Sequence, residues 1–188
     1  MNYSFSNREL ELKIELKRIL ADSPVGEVLA EIPKLSLPNW WLAGGAVRNT
    51  VWCSIFGNDC KLVIKDFDIA FFDLNGNRSQ ELAAKEIMTN NFPNYEFDIK
   101  NQASFARWRN GRRTYSSTEN GIMNWLHTAT AVGVKMNLQG EWDFFIPYGL
   151  DDLFNGIIYP TPEHMDNPDA SNKSVEFLQK CPCLKVRN

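Results

Sequence analysis

Residues 65–72 read K-D-F-D-I-A-F-F, and the strand expected over 67–72 decides the fold. In an extended chain residues i and i+2 share a face, so Asp66 and Asp68 project together, about 6.6 Å apart along the strand, with Ala70 beside them. Phe67, Ile69 and Phe71 face the other way, which makes one face carboxylate and the other core. Two carboxylates converging with a third form a hard-oxygen donor set suited to Mg²⁺, and such sites hold two ions about 3.5 to 4 Å apart. The plainer alternative is the solvated side of an amphipathic edge strand, and for an isolated D-x-D it is the commoner one.

Upstream, residues 40–43 read as a short buried strand that runs into Gly44-Gly45, after which 46–56 carries Val47, Val51 and Ile55 at helical spacing. A glycine pair opening a helix lets backbone N–H groups approach a phosphate, and the helix N-terminus adds a favourable potential for it. Two helices are expected before this unit. The first has Ser6 and Glu9 as a capping box and an apolar face of Leu10, Leu12, Ile14, Leu16, Ile19 and Leu20; the second is opened by Ser23-Pro24, with Val25, Val28, Leu29 and Ile32 in register.

Downstream, a helix over 79–90 and a strand over 95–99 follow the D-x-D strand. Residues 107–120 are polar, basic and loop-like, and a helix is expected around 122–126. Residues 130–137 and 142–146, joined by Gln139-Gly140, read as a β-hairpin, Asp151-Asp152 opens a short helix, and 172–180 forms a last one. The order predicts an α/β (α+β) fold, a mixed sheet flanked by helices with a C-terminal hairpin and helix. One domain is expected over 1–188, with N-terminal helices at 1–36, a core at 37–104 and a C-terminal part at 105–188.

Composition narrows the function classes. With 44% hydrophobic and 23% charged residues the chain is a globular type, and a net charge of -3 argues against a surface made to coat nucleic acid or anionic membrane. No apolar run reaches the roughly 18 residues of a membrane span, and the polar start is unlike a signal segment, so a cytoplasmic protein is expected. The four cysteines, Cys53, Cys60, Cys181 and Cys183, lack zinc or C-x-x-C spacing and are read as reduced thiols. With two histidines, His127 and His164, His-rich metal sites are excluded by counting, and no G-x-S-x-G elbow or G-x-x-x-x-G-K-[ST] loop occurs.

Taken together, W-L-A-G-G-A-V-R-N at 41–49 and K-D-F-D-I at 65–69 resemble the paired signature of the DNA polymerase beta nucleotidyltransferase superfamily, with a local likeness to the head domain of tRNA nucleotidyltransferases. K-N-Q-A at 100–103, T-A-T-A-V at 128–132, P-Y-G-L-D-D-L-F at 147–154 and P-T-P at 160–162 extend the likeness to a family of small standalone bacterial nucleotidyltransferase-like proteins. The resemblance implies that Asp66 and Asp68 are metal ligands for Mg²⁺ or Mn²⁺, that Gly44 and Gly45 cradle phosphate, and that Arg48 contacts it. Asp98 on the neighbouring strand is the implied third carboxylate and Glu96 its rival, either of which can instead be a solvated strand residue. Asn101 and Gln102 are implied to bind base, ribose or phosphate through their amides, or else to cap a helix.

The implied activity transfers a nucleoside monophosphate from a nucleoside triphosphate to an unidentified acceptor hydroxyl, small molecule, protein or RNA, and releases pyrophosphate. Three departures set against it an impaired, nucleotide-binding sensor or partner. Ser104, Phe105 and Ala106 stand where the family continues K-N-Q-A with R-M-H, Leu126-His127 where it has P-E, and Tyr159 where it has Arg. A relocated Arg107 is one remedy, because the run Arg107, Trp108, Arg109, Arg112, Arg113 and Tyr115 mixes charge with aromatics able to hold polyphosphate or stack on a base; an exposed loop is the plainer reading of that run. His127 is read as a packed or solvated histidine before a general base.

Overall fold

The structure, a computed structural model, describes residues 7–104 and 114–187. Five strands form one mixed sheet in the order β3-β2-β1-β4-β5, with β1 Trp41–Ala43, β2 Asp66–Phe71, β3 Glu96–Asn101, β4 Gly133–Met136 and β5 Trp142–Phe145. Only β2 and β3 run parallel, joined across the sheet by helix α4 (Arg78–Asn91); β1 is antiparallel to both β2 and β4, and β4 to β5. The expected hairpin is therefore the far edge of the main sheet. A second, two-stranded parallel sheet pairs Ile157–Ile158 with Lys185–Val186.

Alternation along the strands assigns the two faces. Phe67, Ile69 and Phe71 of β2, Phe97 and Ile99 of β3, and Leu42 of β1 enter the main core with Val25, Val28 and Leu29 of helix α2 (Pro24–Glu31) and Val47, Val51 and Trp52 of helix α3 (Gly45–Phe56). Phe67 and Phe97 stack at 5.4 Å, so truncating either to alanine costs roughly 3–5 kcal/mol. Trp41, Ala43, Ala70, Ile122 and Ala131 make a smaller cluster on the opposite face, under helix α5 (Thr118–Ile122). Asp66 and Asp68 share that second face with Ala70, as the strand's period requires.

Helix α1 (Asn7–Ala21) buries Leu16, Ile19 and Leu20 but leaves Leu10 and Ile14 at 56% and 62% exposure. The expected face was too broad: at about 100° per residue Leu10 and Ile14 lie on the side of the helix away from Leu16 and Ile19. Ser6 lies outside the described residues. Ser23 Oγ accepts from the Val25 amide, as expected of an N-cap before Pro24. The helix around 122–126 is displaced to α5, and the strand expected from residue 130 begins only at Gly133, because Thr130 and Ala131 N–H turn back to the His127 carbonyl. A short helix α6 (Asp151–Phe154) precedes α7 (Pro168–Lys180), which starts four residues before the expected position, where the Asn167 side chain accepts from the Asp169 amide and Pro168 takes the first turn.

Candidate functional site

Gly44 closes β1 with φ of +77°, a conformation that side chains rarely adopt. A Cβ there would stand 2.5 Å from Asp68 Oδ2 and 2.9 Å from Trp125 Cζ3. Glycine is thus required twice, by torsion and by the nearness of a carboxylate and an indole. The antiparallel register sets Ala43 opposite Asp68, which brings that carboxylate to the Gly44-Gly45 turn. Burial, and then the Asp66 and Asp98 carboxylates, push Asp68 up to about 7 against the pull of the Gly45 amide and Arg48.

Arg48, in the first turn of α3, is only 6% exposed. Its Nε and Nη2 donate to Asn49 Oδ1 at 3.1 and 2.8 Å, and its Nη1 donates to Thr130 Oγ1 at 2.8 Å. The guanidinium lies 4.1 Å from the Phe177 ring and 5.4 Å from that of Trp52. Burial pulls its pKa down to about 10, with Asp68 and Asp66 opposing, so it stays a cation at neutral pH. Its hydrogen bonds all end on neutral oxygens, which leaves a full positive charge to be balanced by carboxylates or by a ligand.

A cleft of about 940 Å³ opens over this group. Gly45, Arg48, Asp66 and Asp68 line one wall; Trp125, His127, Thr130 and His164 line another; Lys173, Glu176, Phe177 and Lys180 of α7 form a third. His127, pushed down to about 4 chiefly by burial, is a neutral imidazole whose Nε2 lies 3.0 Å from the Ala170 carbonyl and 3.1 Å from Ser174 Oγ, so it docks α7. Asp152 accepts from Thr128 Oγ1 at 2.8 Å and pairs with Arg187, whose guanidinium lies 4.9 Å from the Tyr159 ring. That network fixes the backbone leading to Thr130.

The other expected site residues fall outside this wall. Asp98 lies opposite Asp68 in the β2–β3 register and Glu96 opposite Asp66; Asp98 is paired with Lys100 at 2.5 Å, and Glu96 is exposed. Asn101 accepts from the amides of Asp73 and Ala103, donates to the Asp73 carbonyl, and gives its own N–H to Glu81, so its groups tie the end of β3 to a loop. Gln102 is buried against Gly121, with its Nε2 3.4 Å from the Lys100 carbonyl. Arg107, Trp108, Arg109, Arg112 and Arg113, with Ala106, lie outside the described residues, while Tyr115 lines the cleft. Trp125, Thr130 and Phe177 were missed. Ala170, Ser174 and Phe177 fall at helical spacing, a legible face, but nothing local says that it covers Arg48.

The described residues do not present a ready metal centre: among them no three His, Cys, Asp or Glu side chains are gathered so as to hold an ion. Asp66 and Asp68 stand together, and the carboxylate best placed to join them is turned to Lys100.

The nucleotidyltransferase family profile matches residues 30–186, and the chain belongs to that family. A solution structure reported to reveal a CCA-adding enzyme head domain is 26% identical over 93% of this chain and 95% of that one, with a TM-score of 0.75. The Thermotoga maritima CCA-adding enzyme complexed with tRNA is 14% identical over 92% of this chain and 42% of its own, with a TM-score of 0.62. A CCA-adding enzyme with ATP gives 14%, 98% and 40%, with a TM-score of 0.51. These last two share the fold, and this chain spans less than half of their length. Among curated proteins none matches the chain. The chain is thus a small nucleotidyltransferase domain of the polymerase beta superfamily, similar to the head domain of CCA-adding enzymes.

Proposed function

We propose that this protein binds a nucleoside triphosphate in the cleft beside Gly44-Gly45 and serves as a nucleotide sensor or partner whose transfer chemistry is impaired. The observation that carries the reading is Arg48, a buried cation in the cleft wall whose hydrogen bonds go to Asn49 and Thr130 alone among the described residues. Asp66 and Asp68 supply part of the opposite charge, and a polyanion in the cleft would add the rest, an attraction that the low-dielectric setting strengthens. Impairment is supported by Ser104, Leu126-His127 and Tyr159, which depart from the family's pattern, and by the want, among the described residues, of a gathered cluster of three metal-ligating side chains.

A second reading keeps the transfer of a nucleoside monophosphate to an acceptor hydroxyl, with loss of pyrophosphate. The β2–β3 register favours it, since it places Asp66, Asp68 and Asp98 on one face of adjacent strands. That reading requires Asp98 to leave Lys100. Pyrophosphate release, assayed with each of four nucleoside triphosphates, with and without Mg²⁺ or Mn²⁺ and across candidate acceptors, separates the two: binding without release supports the sensor, and release that Asp66→Asn abolishes supports the transferase. No helix among the described residues is long and apolar enough to cross a membrane.

A further inference from the structure

The chain's four cysteines lie in two stretches far apart in sequence, and the fold brings three of them together behind the cleft. Cys53 Sγ, in the last turn of α3, lies 3.6 Å from Cys60 Sγ and donates to the Leu62 carbonyl at 3.0 Å. Cys181, at the C-terminal cap of α7, lies beside Cys60. Cys53 is partly exposed, which gives a small oxidant a way in, while burial pushes its thiol up to about 11, so its oxidation is expected to be slow at neutral pH and faster in alkali. Leu62 and Val63 line the cleft, and the Val63 carbonyl accepts at 2.7 Å from Asn49 Nδ2, the same side chain whose oxygen holds Arg48. The thiol pair is therefore joined to the buried arginine by a continuous run of hydrogen bonds and one short peptide segment.

We propose that Cys53 and Cys60 are an oxidation site, and that a disulfide between them re-seats residues 60–63 and loosens the Asn49 support under Arg48. The effect on nucleotide binding rests on the reading of the cleft given above; formation of the bond does not. One cysteine, as its thiolate, attacks an oxygen of hydrogen peroxide and breaks the O–O bond, giving a sulfenic acid and a hydroxide that takes up the thiol proton as water; the second thiol then attacks the sulfenic sulfur and displaces a second water as the S–S bond forms. Two thiols are oxidised, one peroxide is reduced, and both thiol protons leave in water. The sulfurs close from 3.6 Å to about 2.05 Å, and Cys53 necessarily loses the proton it gives to Leu62.

The test treats the full chain with hydrogen peroxide, blocks the remaining thiols and maps the cross-link by mass spectrometry. Amide hydrogen exchange and ATP titration are then followed before and after reduction. The expected result is a Cys53–Cys60 bond, faster exchange over 46–50 and 61–65, and ATP affinity lowered at least about fivefold and restored by dithiothreitol. Cys53→Ser and Cys60→Ser should each abolish the response, and Cys183→Ser should leave it. A Cys60–Cys181 bond instead, no bond, or a bond with unchanged exchange overturns the proposal. If the reduced protein binds no ATP, the nucleotide reading fails, and exchange alone decides the oxidation site.

Discussion

Arg48 is the central residue of the cleft, because among the described residues its guanidinium is hydrogen-bonded to neutral partners and draws opposite charge from Asp66 and Asp68 alongside any anion in the cleft. Replacing it with a residue of similar volume and no charge tests its two roles together. Arg48→Met leaves Asn49 Oδ1 and Thr130 without their donor, so it is expected to lower stability by about 1–3 kcal/mol and to weaken ATP binding by about 2–5 kcal/mol, read by denaturant titration and calorimetry. Gly44→Ala acts on the fold through the backbone: the +77° torsion and the Asp68 oxygen 2.5 Å from the added Cβ predict a loss of roughly 1–3 kcal/mol or more, seen as a lower denaturant midpoint.

Asp68 carries a pH signature of its own. Its folded pKa of about 7 lies above the usual carboxylate value near 3.9, so between these limits the folded state binds more protons than the unfolded chain. Its contribution to stability is therefore complete below about pH 4 and lost as pH rises through 7. Asp68→Asn should remove that decline, and the stability difference between mutant and wild type should grow in the mutant's favour from pH 4 to pH 8. Parallel pH curves for the two proteins would show that Asp68 is not the group responsible.

At the scale of elements, helix α7 matters as a wall. Phe177 packs on Trp52 at 5.6 Å and lies under the Arg48 guanidinium, while His127 fastens the helix from the facing segment. Phe177→Ala should cost roughly 3–5 kcal/mol in stability and weaken ATP binding. Phe177→Leu should recover most of the stability without the cation-ring contact, so a residual binding loss in that variant isolates the contact. The elements themselves were largely legible: alternation located β2, the glycine pair located the β1-to-α3 turn, and Ser23-Pro24 located the start of α2. Legibility ended where a local pattern admits several neighbours. Asn101 sits in a motif that suggests ligand binding, yet its groups are consumed by a loop that sequence spacing does not bring near. Helix periodicity in 168–180 predicts an apolar face without naming Arg48 as what it covers.

For the whole molecule, the informative contacts are long-range. Cys60 meets Cys181, and His127 meets Ala170, across separations that periodicity does not report, so the thiol cluster and the third wall of the cleft emerge only from the fold. Charge, by contrast, is readable at once. A net charge of -3 predicts that RNA of tRNA length is not retained at an ionic strength of about 0.15 M, whatever weak binding occurs at low salt. Filter binding across a salt series checks this, and tight, shallow-sloped binding would redirect the search for an acceptor toward RNA.

The most direct test of the central claim is a calorimetric titration of ATP, with and without Mg²⁺, into wild type and Arg48→Met proteins of matched foldedness. Saturable binding to wild type that is lost in Arg48→Met is the predicted result. Equal binding to both, or none to wild type, would contradict it.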